Sequence, residues 1–236
     1  MKSKRAVLIL EGPWNMDQHD ANRSSVLPFF EGMAKQFHDV EVIYSRYYDL
    51  RSFRLALEEI TAPEFKSSII YIAGHGDGKT VSGANIKKVF QECSLASSKV
   101  NARGVVIGSC FSAGTDNAPL DDEIISMIHD SNISWAAAYN CASYWFAGTM
   151  IDCAMTRQML MANEKILSKK ESIASELAKV ISPFSRTYKV GTHSNEVDLV
   201  HLSDGLVFFA QSAGQGHKAQ EITGQVWDKW ERLQRK

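Results

Sequence analysis

Along most of the chain, short and nearly unbroken apolar runs alternate with stretches where apolar residues recur every three or four positions. Ala6–Leu10 (AVLIL), Val40–Tyr44 (VEVIY), Ser68–Ala73 (SIIYIA), Gly104–Ile107 (GVVI) and Ile133–Tyr139 read as strands. Between them the spacing predicts helices over Ser24–Phe37 (apolar at Leu27, Phe30, Ala34 and Phe37), Leu50–Ile60, Ile86–Glu92 and Leu120–His129, with a hairpin near Gly78–Gly83. Strands that alternate with helices and are apolar on both faces predict an α/β fold: a mostly parallel central sheet covered by helices on each side. Beyond Tyr139 the pattern changes. A long helix rich in Met and Ala is expected over Tyr144–Ala162 and a second over Ser172–Val180. Strand-like runs follow at Val197–Leu202 and Leu206–Phe209, then a closing helix over Glu221–Arg235. The polar stretch Asn163–Glu171 reads equally as linker or as helical surface, so residues 1–236 are expected to form a single domain.

Composition narrows the function classes. Lys+Arg at 26 against Asp+Glu at 27, with no dense basic run, argues against nucleic-acid contact. No apolar stretch approaches the roughly 20 residues of a membrane span, and no membrane contact is expected. The start, MKSKRAVLILEG, begins like a secretory signal, but its apolar core stops at Leu10 before Glu11, with no small-residue cleavage site. Four cysteines in 236 residues are too sparse for a disulfide scaffold, so a reducing cytoplasm is the expected compartment. There is no CxxC and no HExxH, so a zinc site is not expected; Gly74–Gly78 lacks the GxGxxG spacing and Gly78-Lys79-Thr80 lacks the upstream P-loop glycine, so no nucleotide cofactor is expected either.

Two predicted strands end in residues that carry chemistry. One runs into Gly74, His75 and Gly76 (IYIAGHGDG), the other into Ser109 and Cys110 (GVVIGSCFSAG). In open parallel sheets functional groups collect at such ends, so two parallel neighbours would bring His75 and Cys110 face to face. An imidazole beside a thiol raises its thiolate fraction and later protonates a leaving amine. With no side chain at Gly76, its N–H can approach a developing oxyanion, and the Cys110 amide is the natural second donor. Cys93, Cys141 and Cys153 lie in helical or strand patterns and are expected to pack, as are the methionines of Met150–Met161.

An apolar strand ending in His-Gly, followed by one ending in a small residue and Cys, resembles the caspase-type cysteine peptidases. That group includes the clostripain, gingipain, legumain, separase and bacterial CHAT-type branches, and the resemblance covers roughly the first 140 residues. It implies a caspase-like three-layer sandwich and a cysteine endopeptidase that cuts a specific partner protein, possibly one encoded nearby. In that mechanism Cys110 attacks the scissile carbonyl to give an acyl-enzyme, His75 manages the protons, and the Gly76 and Cys110 amides hold the oxyanion. It further implies control by an external activator or regulatory partner. The caspase signature places Gln-Ala before the cysteine where this chain has Gly108-Ser109, so strict Asp specificity is not expected.

In the family, the pocket for the residue before the cut flanks the cysteine at the strand ends. Gly108 would leave it deep, and Glu11 and Asp152 are the acids placed to favour a basic substrate residue there. Asp116, Asp121 and Asp122 are further candidates, although Asp121 and Asp122 also suit a helix start. Two alternatives stand beside this reading. One is an inactive caspase-like binding module. The other is an α/β-hydrolase type in which Gly108–Ser112 forms a nucleophile elbow served by a later histidine, His193 having the best context.

Overall fold

Alternation decides how the strands are buried. On β1 (Arg5–Glu11), Val7 and Ile9 face one helical layer while Ala6, Leu8 and Leu10 face the other, all fully buried. The structure is a computed structural model that describes residues 4–14, 24–115, 118–129, 131–193, 197–214 and 217–235. After β1 come α1 (Leu27–Ala34), β2 (Val40–Arg46), α2 (Leu50–Ile60) and β3 (Ser67–Ala73). The hairpin β4 (Thr80–Val81) and β5 (Ala84–Asn85) leads into α3 (Ile86–Ser97) and β6 (Ala102–Gly108). A second hairpin, β7 (Gly114–Thr115) and β8 (Ala118–Pro119), precedes α4 (Asp121–His129) and β9 (Trp135–Tyr139). Then follow β10 (Ala142–Ser143), α5 (Trp145–Met161), α6 (Glu164–Leu167), α7 (Lys170–Ile181), β11 (Lys189–Thr192) and β12 (Leu199–His201). The chain closes with α8 (Leu202–Gly205), β13 (Leu206–Ala210), β14 (Gln220–Glu221) and α9 (Thr223–Gln234).

Among the described residues the central sheet has seven strands in the order β14-β13-β9-β6-β3-β1-β2. The five strands from β9 to β2 are parallel, and β13 and β14 close one edge antiparallel. Helices cover both faces, giving the three-layer α/β sandwich that the pattern predicts. The layer over Val7, Tyr71, Trp135 and Tyr139 is built from α1, α5, α7 and α9; the opposite layer carries α2, α3 and α4. Beside the main sheet, β10, β11 and β12 form a small antiparallel sheet with β10 at its edge.

Several boundaries differ from expectation for local reasons. The first helix is shorter than Ser24–Phe37: Pro28 lies in its first turn, where a missing N–H costs nothing. At its other end Gln36 and Phe37 turn back to the carbonyls of Met33 and Ala34. Helix α3 runs past Glu92 because Cys93 and Ser97 extend the buried stripe begun by Val89 and Phe90. The Asn163–Glu171 stretch is helical surface, with Asn163 capping α6 by accepting from the Ile166 amide.

Candidate active site

The site is set by register. Strands β3 and β6 are parallel neighbours with Ala73 opposite Gly108. His75 and Cys110 each lie two positions beyond that pair, so the two chains leave the sheet side by side. The Ser109 hydroxyl, fully buried, donates to the Gly74 carbonyl at 2.7 Å and ties the two loops one step past the last strand pair. Gly76 then meets the Cys110 loop directly: a Cβ there would lie 2.2 Å from the Cys110 carbonyl oxygen and 2.4 Å from the Ser109 Oγ. Only glycine fits.

The turn after Cys110 is held in an uncommon shape. Phe111 has φ +53°, a left-handed conformation that a bulky residue adopts only when its surroundings impose it. Its N–H donates to the Cys141 carbonyl (2.9 Å), and the Ala113 N–H to the Tyr139 carbonyl (2.8 Å). Ser112 bridges the strands beneath, donating to the Ile107 carbonyl (2.8 Å) and accepting from the Tyr139 N–H (2.9 Å). The half-buried Cys110 points its thiol at β10, with Sγ 3.8 Å from the Ser143 carbonyl and 3.9 Å from its hydroxyl.

Gly76 pairs with Val81 across an isolated antiparallel bridge. The flanking bonds run from the Ser82 N–H to the His75 carbonyl (2.7 Å) and from the Asp77 N–H to the Thr80 carbonyl (3.3 Å). That makes Gly76 one of a non-hydrogen-bonded pair, whose own N–H points out of the bridge. Neither the Gly76 nor the Cys110 amide is used on a carbonyl among the described residues. His75 is exposed, and its ring meets the edge of Trp14 at 6.4 Å.

Beside Cys110 a narrow crevice runs down to Asp152, bounded by Gly108, Tyr71, Tyr139, Trp14 and Trp145. Asp152 lies on the sheet-facing side of α5, 1% exposed. It accepts from the Tyr71 hydroxyl at 2.9 Å and the Tyr139 hydroxyl at 2.8 Å. Burial pushes its carboxyl from the ordinary 3.8 up to about 7, against the opposing pull of those two hydrogen bonds. Burial, reinforced by the Asp152 charge, holds both phenols well above their usual 10, so they remain donors. Gly108 makes the arrangement possible: a Cβ would fall 2.3 Å from the Tyr71 hydroxyl and 2.5 Å from the Asp152 Oδ2.

Glu11 sits elsewhere. It is 2% exposed and outside the crevice lining among the described residues. Among the described residues it takes four donors: Trp14 Nε1 (2.8 Å), the Val26 amide (2.8 Å), Ser25 Oγ (2.7 Å) and the Tyr44 hydroxyl (2.9 Å). Its carboxylate thus serves the start of α1, where Val26 has no side-chain cap, and reaches the crevice only by holding Trp14. Asp121 and Asp122 occupy the first turn of α4, and Asp116 lies outside the described residues. Cys93 and Cys141 are buried, and Met155 and Met159 are in the core, whereas Met150 is 43% exposed. Among the described residues no cluster of three His, Cys, Asp or Glu could hold a metal, and no helix is long and apolar enough to cross a membrane.

The residues that the pattern did not single out are the aromatic ones around the acid. Tyr71 and Tyr139 look like core positions in apolar strands, and only the placement of Asp152 against them gives their hydroxyls a purpose. Ser143 and Trp145 fall in a short segment whose strand character comes from pairing with β11.

No family model and no curated protein sequence matches the chain. Solved structures do. A secreted C11 cysteine protease from Bacteroides thetaiotaomicron, termed iotapain, superposes with TM-score 0.51 at 10% identity, over 88% of this chain. A structure of a secreted C11 cysteine protease from the same organism, with an irreversible peptide inhibitor, gives TM-score 0.48 at 11% identity over the same share. In each case this chain spans 66% of the other's length. The sheet order, the covering layers and this likeness together give the chain the caspase-like α/β sandwich fold seen in C11 cysteine proteases.

Proposed function

We propose that the chain is a cysteine endopeptidase that cuts a protein partner after a basic residue. The observation that carries this is the common register of His75 and Cys110, with the Gly76 and Cys110 amides unused by backbone carbonyls among the described residues. In this mechanism Cys110, as thiolate, attacks the scissile carbonyl, and the oxygen that gains the charge is received by the two amides. His75 gives its proton to the departing amine, leaving an acyl-enzyme. Water then attacks the thioester, losing its proton to His75, and Cys110 is released.

The substrate chain has a place to lie. The outer edge of β10 carries no strand among the described residues, and its Ser143 carbonyl is 3.8 Å from the thiol. An extended peptide adding to that edge would set its carbonyl at Cys110 and drop the preceding side chain toward Asp152. A buried acid at the foot of the crevice favours a cation there. The nucleophile-elbow alternative fits less well, since Cys110 is followed by the β7–β8 hairpin and not by a helix. His193 lies past the end of β11, with its N–H on the Asp198 carbonyl.

The test is cleavage of a positional peptide library. Cys110→Ala and His75→Ala should each abolish cutting by more than about 10³-fold while the protein stays folded. Activity retained in His75→Ala but lost in His193→Ala would return the assignment to the hydrolase type. A folded chain whose Cys110 resists a thiol-reactive peptide probe, alone and with its partner, would mark an inactive binding module.

A further inference from the structure

A polar cavity lies at the end of the sheet opposite Cys110, where β6 and β9 begin and β13 finishes. Arg103, Ser134 and Gln211 stand in line across these three strands. The Ser134 N–H donates to the Arg103 carbonyl (2.9 Å), and the Gln211 N–H to the Ser134 carbonyl (2.9 Å). The cavity encloses about 170 Å³. Drug-sized ligands need about 300 Å³ or more, so this space suits a small ion. Arg103 is the one charged residue among the described residues that line it. Its side chain is only 15% exposed. Nη1 donates to Asn132 Oδ1 (3.3 Å) and Nη2 to Glu164 (3.1 Å), a carboxylate that is itself 71% exposed. Nε is buried and has no hydrogen-bond partner among the described residues. Gln211 Oε1 is in the same state, and its identity as the oxygen is fixed because Nε2 donates to the His217 carbonyl at 3.1 Å.

Buried polar groups are seldom left unpaired, and two of them on one small cavity call for a common partner. Their chemistry says which. A buried cationic donor favours an anion. On the same wall, Ser212 Oγ accepts from the Lys170 N–H at the start of α7 (3.1 Å), so the positive end of that helix lies behind the cavity. Gln211 Oε1 can only accept, so the anion has to carry a hydrogen of its own. Carboxylate and sulfate carry none near neutrality. A phosphate monoester has lost most of its second proton there, that ionisation lying near ~6. Inorganic phosphate keeps at least one P–OH throughout the neutral range. We propose that this cavity binds inorganic phosphate, with one oxygen on Arg103 Nε–H, the P–OH donated to Gln211 Oε1, and the buried Ser134 hydroxyl on a further oxygen. The site shares no residue with the crevice beside Cys110 and stands whether or not the chain is a peptidase.

The full chain is titrated by calorimetry with inorganic phosphate, sulfate and glycerol 2-phosphate, at one neutral pH and constant ionic strength. Phosphate should bind saturably at one ion per chain. Sulfate and the monoester should each bind at least about tenfold more weakly, because both leave Gln211 Oε1 without a donor. Arg103→Gln should abolish phosphate binding, since it removes the charge on the cavity. Gln211→Leu removes the acceptor instead, and should bring phosphate and sulfate to within about twofold of each other. Circular dichroism checks that each variant is folded. Absence of saturable phosphate binding to the unaltered chain overturns the site. So does a chain that binds sulfate or the monoester as tightly as phosphate, or a folded Arg103→Gln protein that binds phosphate undiminished. If Arg103→Gln fails to fold, the preference for phosphate in the unaltered chain and its loss in Gln211→Leu decide. Should both variants fail to fold, the three titrations of the unaltered chain still do.

Discussion

Gly108 and Asp152 share one space: the Asp152 Oδ2 lies 2.5 Å from where any side chain on Gly108 would begin. The acid reaches the foot of the crevice from a helix, across the gap left by a missing side chain at the end of β6. Gly108→Ala is therefore expected to push Asp152 and Tyr71 apart. It should cost about 1–3 kcal/mol of stability, the usual range for overpacking, and remove the preference for a basic residue. Chemical denaturation and the peptide library measure the two effects. Unchanged selection of arginine by a folded Gly108→Ala protein would show that Asp152 does not receive the side chain.

Asp152 sets a pH dependence of definite sign. Its carboxyl ionises near 3.8 when unfolded and at about 7 when folded, because burial penalises the charge. Between those values the folded protein keeps a proton that the unfolded chain has lost, so this group's contribution falls as pH rises. The loss is about 1.4 kcal/mol per pH unit, ending near pH 7. Asp152→Asn should thus melt close to the parent at pH 4 and increasingly above it toward pH 7. Over the same interval kcat/KM for arginine peptides should climb more steeply than for peptides with a neutral residue, since only the carboxylate attracts a cation. Parallel profiles would contradict the assignment.

Glu11 predicts a different phenotype. Its four donors are left facing an alanine in Glu11→Ala, and hydrogen bonds to a charged group are worth about 1.5–3 kcal/mol. The variant should lose several kcal/mol or fail to fold. Glu11→Gln, which keeps one acceptor, should fold with a lowered melting temperature and still prefer basic over neutral residues. Loss of that preference at unchanged stability would put Glu11 back in the pocket.

Thiol chemistry should separate the four cysteines. Burial raises Cys93 well above its ordinary 9, pushes Cys141 up to about 12 and Cys153 up to about 11, keeping all three as unreactive thiols near neutrality. A short iodoacetamide pulse on the native protein should carbamidomethylate Cys110 first, as read by peptide mass spectrometry. Faster labelling at Cys153 would contradict this ordering.

Ser112→Ala removes a hydroxyl that serves both the Ile107 carbonyl and the Tyr139 N–H inside the sheet. Two buried backbone groups lose their partner, which should cost about 1–3 kcal/mol in urea unfolding. A smaller change would mean that the strand ends relax toward each other.

Much of this was readable in advance because it depends on periodicity. Unbroken apolar runs marked the parallel strands, and a helix-forming stretch between each pair forced the same sense on them. His75 and Cys110 could be paired because both terminate such runs. What escaped was whatever depends on pairing between distant segments. Strands β10 and β11 are short and contain Ala, Ser and Gly, so nothing local marks them, and they exist through the Ala142–Thr192 and Ser143–Gly191 pairs. The two tyrosine hydroxyls are equally invisible, since Tyr71 and Tyr139 carry the apolar pattern of their strands as well as phenylalanine would. Glu11 and Asp152 had similar sequence credentials. Their hydrogen-bond surroundings separate them: among the described residues one faces a helix start with four donors, the other the crevice with two.

The tie between Ser109 and Gly74 has a consequence for how this chain can be rebuilt. Because the histidine and the cysteine are aligned by strand register, the 34 residues between them do not determine their separation. Grafts or deletions confined to the solvent side of α3 should leave that alignment in place. A one-residue insertion within β6 would throw Cys110 to the opposite face of the sheet. The juxtaposition of His75 and Cys110 is thus robust to length changes in its connection and fragile to a single slip in its frame.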